Sequence, residues 1–162
     1  MNNAYLLIGG NMGQVKVNLA LAKSAIEERV GVIMGTSSLY QTAAWGVKDQ
    51  PDFLNQVLWV DTQWPATTVL KIVLTIENEL GRVRKEKNGP RVIDIDLLLY
   101  NDQIINLPEL KVPHPRLHTR NFTLFPLAEL APGLKHPVLG KTMQQLLDQS
   151  PDDLEVKRLS GD

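Results

Sequence analysis

GPRVIDIDLLLY, residues 89–100, holds an apolar run interrupted by two aspartates, Asp94 and Asp96. β-Branched and aliphatic residues behind a Gly-Pro break predict a β-strand. Strand side chains alternate faces, so both carboxylates share one face while Ile93, Ile95, Leu97 and Leu99 line the other. Two residues along a strand cover roughly 6.6–6.8 Å, so these carboxylates can reach one cation or a pair of cations. Oxygen donors with no cysteine or histidine beside them favour Mg²⁺ or Mn²⁺ over zinc. A bare Asp-x-Asp pair also fits a solvated sheet face.

Upstream of this strand, Ala4 to Ile8 is a short apolar run closed by Gly9 and Gly10, which predicts a central strand leading into a turn. From Val15, the apolar residues Leu19, Ala22, Ile26 and Val30 recur at helical steps, with Gly31 as a stop. Residues 32–42 read as extended. FLNQVLWVDT, residues 53–62, reads as a strand with Phe53 and Asn55 on one face near its start. Pro65 opens a second helix with a stripe of Leu70, Val73, Leu74 and Leu80 and a stop at Gly81. Glu77 falls inside that stripe. Three readings stand for it: a partner arginine, a place in a site, or a helix turned slightly so that it meets water.

The segment 107–122 is proline-rich and irregular. A helix is predicted around Phe125 to Leu130, and a final one is capped by Thr142 with Gln145 three residues on. The order is β-α-β-β-α-β followed by C-terminal additions. That is an α+β, ferredoxin-like core, a mostly antiparallel sheet with helices packed on it. At 162 residues and 43% apolar content, residues 1–162 fit a single domain.

Charge narrows the function. The chain carries 17 basic and 18 acidic residues, so no global field recruits nucleic acid or an anionic membrane. An RNA-binding domain of this fold class would need aromatic-rich central strands, and Tyr100 is the one aromatic in residues 92–100. A metal-dependent nuclease remains compatible with paired aspartates. Residues 82–91 concentrate Arg82, Arg84, Lys85, Lys87 and Arg91 against Glu86 alone. A cationic loop joined directly to paired carboxylates suits a metal-bound polyphosphate: cations neutralise phosphate oxygens while carboxylates hold the metal. No GxxxxGK[ST] is present, so nucleotide binding here would not use a P-loop. Phe53, Asn55 and Phe122 can form a slot for a flat heterocycle, although phenylalanines equally serve a core. HPRLHTRNF adds His114, Arg116, His118 and Arg120 as groups for phosphate or sugar. Absence of cysteine, and a start, MNNAYLLIGG, without a basic leader or a long apolar run, lead us to expect a cytoplasmic protein.

Taken together, IGGNMG (8–13), LYQTAAWG (39–46), DQPDFLN (49–55), GRVRKEKNGPRVIDIDLLLY (81–100) and VPHPRLHTRNF (112–122) resemble the 6-hydroxymethyl-7,8-dihydropterin pyrophosphokinases of folate biosynthesis. The resemblance implies an ATP-dependent diphosphotransferase, acting as a monomer on two small molecules with two Mg²⁺ ions. The terminal pyrophosphoryl group of ATP would pass to the pterin hydroxymethyl oxygen, giving AMP. It implies that Asp94 and Asp96 hold the metals and that Arg82 and Arg91 steady the triphosphate and the departing AMP. Arg84 would lie on a closing loop, and Glu77, Leu97, Lys111, His114 and Arg120 would meet ATP. Thr42, Ala43 and Asn55 would bind the pterin edge, with Phe53 and Phe122 on its faces. Departures from the family pattern are Gly10 for serine, Ala43 for proline, Phe53 for tyrosine, and Lys87-Asn88 in a loop one residue shorter than in some relatives.

Overall fold

The computed structural model describes residues 1–43, 51–81 and 92–159. Strand β1 (Asn2–Gly10) is followed by helix α1 (Val15–Arg29), β2 (Gly31–Thr36), β3 (Tyr40–Thr42), β4 (Phe53–Thr62), α2 (Ala66–Glu79) and β5 (Asp94–Tyr100). A small hairpin, β6 (Ile105–Asn106) and β7 (Lys111–Val112), precedes α3 (Asn121–Leu130), α4 (Met143–Asp148) and β8 (Val156–Arg158). The main sheet runs β5-β1-β4-β3-β8, with β2 also pairing β4, and its described pairs are antiparallel. This is the expected ferredoxin-like order.

Both faces of the sheet are covered, which is why β1 is buried from Ala4 through Gly10 and reads as an uninterrupted apolar run. On one side α1 and α2 set Leu19, Ala22, Ile26, Val69, Val73 and Ile76 against Leu6, Ile8, Leu58, Ile93, Ile95 and Leu97. On the other, α3 and α4 set Leu124, Leu127, Met143 and Leu146 against Tyr5, Leu7, Val57, Leu98 and Leu99. The molecule is a helix-sheet-helix sandwich.

Several expectations change. β1 does not turn at Gly9: both glycines stay in the strand, paired with Asn55 and Leu54 of β4. Gly31 is required by packing rather than by a helix stop, since a Cβ there would lie 2.1 Å from the Asp61 carbonyl oxygen. Residues 32–42 form two strands, with the break between them at 37–39. The α2 stripe is Val69, Val73 and Ile76, at four- and three-residue steps, and Leu74 is 46% exposed. α3 starts at Asn121, earlier than periodicity indicated, and carries Pro126 within it.

The faces of β5 change phase partway along. Leu6 of β1 pairs with Leu97, and the next residue back, Tyr5, pairs with Leu99, so Leu98 is an extra residue in a bulge. Beyond it Leu99 joins the α3/α4 face while Tyr100 turns to the α1/α2 face. The expected set of Ile93, Ile95, Leu97 and Leu99 on one face therefore loses Leu99. The two aspartates lie before the bulge, on the side opposite α1 and α2. Thr142 and Gln145 form the expected capping box at α4, with Gln145 N–H donating to Thr142 Oγ1 at 3.1 Å.

Candidate functional site

Strand register builds the site. Gly9 in β1 pairs with Asp94 of β5 on one side and with Asn55 of β4 on the other, and Asn55 in turn faces Tyr40 of β3. Directly paired residues share a face, so Asp94, Gly9, Asn55 and Tyr40 form one row across the sheet. Leu7 carries the next row, between Asp96 and Val57. Strands lie about 4.8 Å apart, so Asp94 and Asn55 are about 10 Å apart along this row. Gly9 is the bare position between them. A Cβ there would fall 2.2 Å from Asn55 Oδ1 and 3.0 Å from the Leu54 carbonyl oxygen, so the Asn55 amide occupies the space that any side chain would need.

At the amide end, Thr42 is buried and pairs directly with Phe53, which is half-buried at the start of β4. Ala43, beyond Thr42, is exposed. Asn11 is 2% exposed and donates its amide to the Pro51 carbonyl at 2.9 Å, tying the end of β1 to the entrance of β4. Phe122 sits half-buried in the first turn of α3, packed on the cluster beneath that helix. The Arg120 guanidinium lies 5.3 Å from its ring centroid.

At the carboxylate end, Asp94 and Asp96 are both half-buried. Glu77 is 4% exposed, and its carboxylate accepts the Ile95 N–H at 2.7 Å. This resolves the three readings of Glu77 in part. It does not turn to water; it fastens α2 to the outer edge of β5 at the residue between the two aspartates. Leu97 is buried in the α1/α2 core, so what it can offer a ligand is backbone.

The segment after β7 is pinned to the same edge, where His114 N–H donates to the Leu98 carbonyl at 2.9 Å. His114 Nδ1 accepts the Arg116 N–H at 3.2 Å, which leaves Nε2 to carry the proton of the neutral ring. Burial, then Arg120 and Arg116, hold the His114 pKa down to about 4. Burial and Arg116 lower Arg120 as well, opposed by Asp96 and Asp152, so Arg120 lies in the field of Asp96 while remaining a cation. Lys111 is exposed and donates to Asn106 Oδ1 at 2.6 Å within its own hairpin. A groove lined by Arg116, His118, Arg120, Phe122 and Asp152 opens alongside. Arg82, Arg84 and Arg91, with Lys85, Lys87 and Asn88, lie outside the described residues.

His114 makes a stability prediction. Its folded pKa is depressed, so as pH falls below 6.5 the unfolded chain takes the proton first. Stability is therefore full above pH 6.5 and lost as pH falls toward 4, by up to about 3 kcal/mol for this difference. Urea unfolding at pH 7 and pH 4.5 should show a smaller acid loss in His114→Asn than in wild type; equal losses would remove His114 as a source.

The donor chemistry suits magnesium. Among the described residues no cluster of three or more His, Cys, Asp or Glu could hold a metal, and Asp94 and Asp96 are a half-buried pair of carboxylates on one face of β5. Mg²⁺ takes one or two carboxylates and completes its shell with water and phosphate oxygens. Sequence reasoning passed over Gly9 and Asn11. The signal for Gly9 was present, a glycine two residues from the end of a buried run, but only the register gives it a partner.

Residues 5–132 match the family described as 7,8-dihydro-6-hydroxymethylpterin-pyrophosphokinase (HPPK). The chain is 36% identical over 162 residues to the 2-amino-4-hydroxy-6-hydroxymethyldihydropteridine pyrophosphokinase of Pseudomonas aeruginosa, covering 99% of each. It is 39% identical over 145 residues to the Aquifex aeolicus protein of that name, covering 90% of each. It spans 20% of the Schizosaccharomyces pombe folic acid synthesis protein fol1, at 37% identity over 149 residues. In three dimensions it superposes on the Plasmodium falciparum HPPK-DHPS with pteroate at a TM-score of 0.75 and 18% identity, over 91% of this chain and 42% of that one, which shows the fold. The family match over residues 5–132 and the 36–39% identity to bacterial pyrophosphokinases over 90–99% of their length show that the chain belongs to the 7,8-dihydro-6-hydroxymethylpterin-pyrophosphokinase family, enzymes of folate synthesis.

Proposed function

We propose that this protein transfers the pyrophosphoryl group of ATP to 6-hydroxymethyl-7,8-dihydropterin in a Mg²⁺-dependent reaction, giving AMP and the pterin diphosphate. The observation that carries this reading is the row Asp94, Gly9, Asn55, which puts a carboxylate and a buried amide on either side of a bare backbone. A flat heterocycle lies over Gly9 with its edge on the Asn55 amide and Thr42, and its faces against Phe53 and Phe122. Its hydroxymethyl arm points back along the row toward Asp94 and Asp96. The hydroxyl oxygen bonds to the β-phosphorus, the bond from that phosphorus to the oxygen bridging the α-phosphate breaks, AMP leaves with that oxygen, and the hydroxyl proton passes to solvent. Asp94 and Asp96 would hold Mg²⁺, which when bound would supply charge neutralisation for the phosphates and lower the pKa of the attacking hydroxyl.

The chain's own groups do the remaining work. Arg120 stays charged at neutral pH and offers a fork to phosphate oxygens, while neutral His114 donates from Nε2. Glu77 keeps β5, and so both aspartates, at a set depth against α2. Arg82, Arg84 and Arg91 carry the remaining positive charge for the triphosphate, with Lys111 and the Leu97 backbone nearer the nucleoside. Family membership moves the nuclease and RNA-binding readings aside.

The test is AMP formation from ATP and Mg²⁺ with and without the pterin. AMP that requires both pterin and Mg²⁺, at one per pterin diphosphate, is expected. AMP formed equally without pterin, or none from folded protein, would overturn the reading.

A further inference from the structure

The family match ends at residue 132, yet β8 lies beyond it and completes the sheet beside the proposed heterocycle pocket. β3 has only three residues, and on its β4 side Thr42 pairs with Phe53 and Tyr40 with Asn55. So short a strand left at an edge frays readily. β8 removes that edge: Tyr40 pairs with Arg158, Gln41 with Lys157 and Thr42 with Val156, and Leu159 N–H donates to the Leu39 carbonyl at 2.8 Å.

Side chains reinforce the pairing through one carboxylate on α3. Glu129 Oε1 accepts from Tyr40 Oη at 2.7 Å, and both its oxygens accept from Ser38 N–H at 3.1 Å. Glu129 Oε2 also accepts from Ser38 Oγ at 3.1 Å and pairs with Arg158 Nη2 at 3.6 Å. Arg158 Nε in turn donates to Ser38 Oγ at 3.0 Å, closing a ring through β3, α3 and β8. Phe125 of α3 packs on the Tyr40 ring with centroids 6.2 Å apart. Every group in this ring holds residues 38–42, and none belongs to the carboxylate end of the site.

We propose that β8 is a positioning strap for the heterocycle pocket: Arg158, acting through Glu129, holds Tyr40 and with it Thr42 against Phe53 and Asn55. Arg158 and Glu129 are positioning residues and touch no reacting atom. The inference rests on the pterin reading above and deepens it, because it assigns the strap to one substrate and not the other.

The experiment compares wild type with Arg158→Ala, Arg158→Lys and Glu129→Gln in steady-state kinetics against each substrate, with hydrogen exchange of residues 40–42. Arg158→Ala and Glu129→Gln are expected to raise KM for the pterin roughly fivefold or more, with kcat and KM for ATP within about twofold of wild type. Exchange at Gln41 and Thr42 should quicken in both, and Arg158→Lys should bring the pterin KM back to within about twofold of wild type. If Arg158→Ala does not fold, Glu129→Gln decides. An active wild type whose variants leave the pterin KM unchanged, or raise both KM values together, overturns the strap alone. A folded wild type that makes no pterin-dependent AMP overturns the functional reading, and the strap's substrate assignment falls with it.

Discussion

Asp96→Ala is expected to cut pterin-dependent AMP formation by roughly a thousandfold, a loss of about 4 kcal/mol of transition-state stabilisation. Asp96 pairs with Leu7 on the α3/α4 side of the sheet, half-buried, and its charge acts on Arg120. Alanine removes one of the two carboxylates proposed to hold Mg²⁺ and leaves Arg120 and Arg116 with less to offset their repulsion. The strand itself should persist, since its neighbours Ile95 and Leu97 keep their core contacts and Glu77 keeps its bond to the Ile95 N–H. Asp96→Asn separates charge from shape: it retains size and an acceptor oxygen but should be nearly as inactive. Rates measured across a Mg²⁺ titration, beside far-UV circular dichroism, check this. A folded Asp96→Ala enzyme within tenfold of wild type would remove Asp96 from the metal site.

Gly9→Ala carries the second large effect. One added methyl would sit 2.2 Å from Asn55 Oδ1 and 3.0 Å from the Leu54 carbonyl oxygen, and the second of these is backbone in a central strand. Either the amide swings away from the row or β1 and β4 part; both would spoil the proposed pterin edge. We expect kcat/KM for the pterin to fall roughly a hundredfold, the scale at which a site built to hydrogen-bond a substrate loses that bond, with KM for ATP within about twofold. Overpacking should also destabilise the fold by about 1–3 kcal/mol. Gly133→Ala is the control, because a Cβ there meets nothing within 4 Å and should change neither quantity. Equal losses toward both substrates in Gly9→Ala would point to general unfolding of the sheet instead of a local amide displacement.

Legibility from the sequence varied with the kind of signal. Patterns that repeat along the chain were readable: α1, β4 and the α4 capping box came out with few changes, because period and cap chemistry are local. Of the expected α2 stripe Val73 is fully buried, while Val69 and Ile76 take the places expected for Leu70 and Leu74, since these neighbours are equally apolar and only the sheet beneath decides which is buried. β8 was not foreseen at all. Val156–Arg158 has one partly buried residue and no alternation long enough to register, and it becomes a strand because β3 offers an unpaired edge.

For the site, the sequence by itself determined the chemistry: two carboxylates one pleat apart, basic residues on both sides of them in the chain, and an asparagine between aromatics. Those are properties of residue type and spacing, and side-chain alternation is enough to place Asp94 and Asp96 together. Tertiary structure decided which of these groups meet. Residues 9, 55 and 94 are far apart in sequence and become one row only through the register of β1 with β4 and β5. Glu77 shows the same division. Its odd place on an apolar face was visible beforehand, but its bond to the Ile95 backbone N–H was not, because that donor faces α2 only once the other edge of β5 has paired with β1. The leucine bulge at Leu98, which returns β5 to the core just past the aspartates, has no local signature either, because the four apolar side chains from Ile95 to Leu99, broken only by Asp96, fit either phase until both sheet faces are covered.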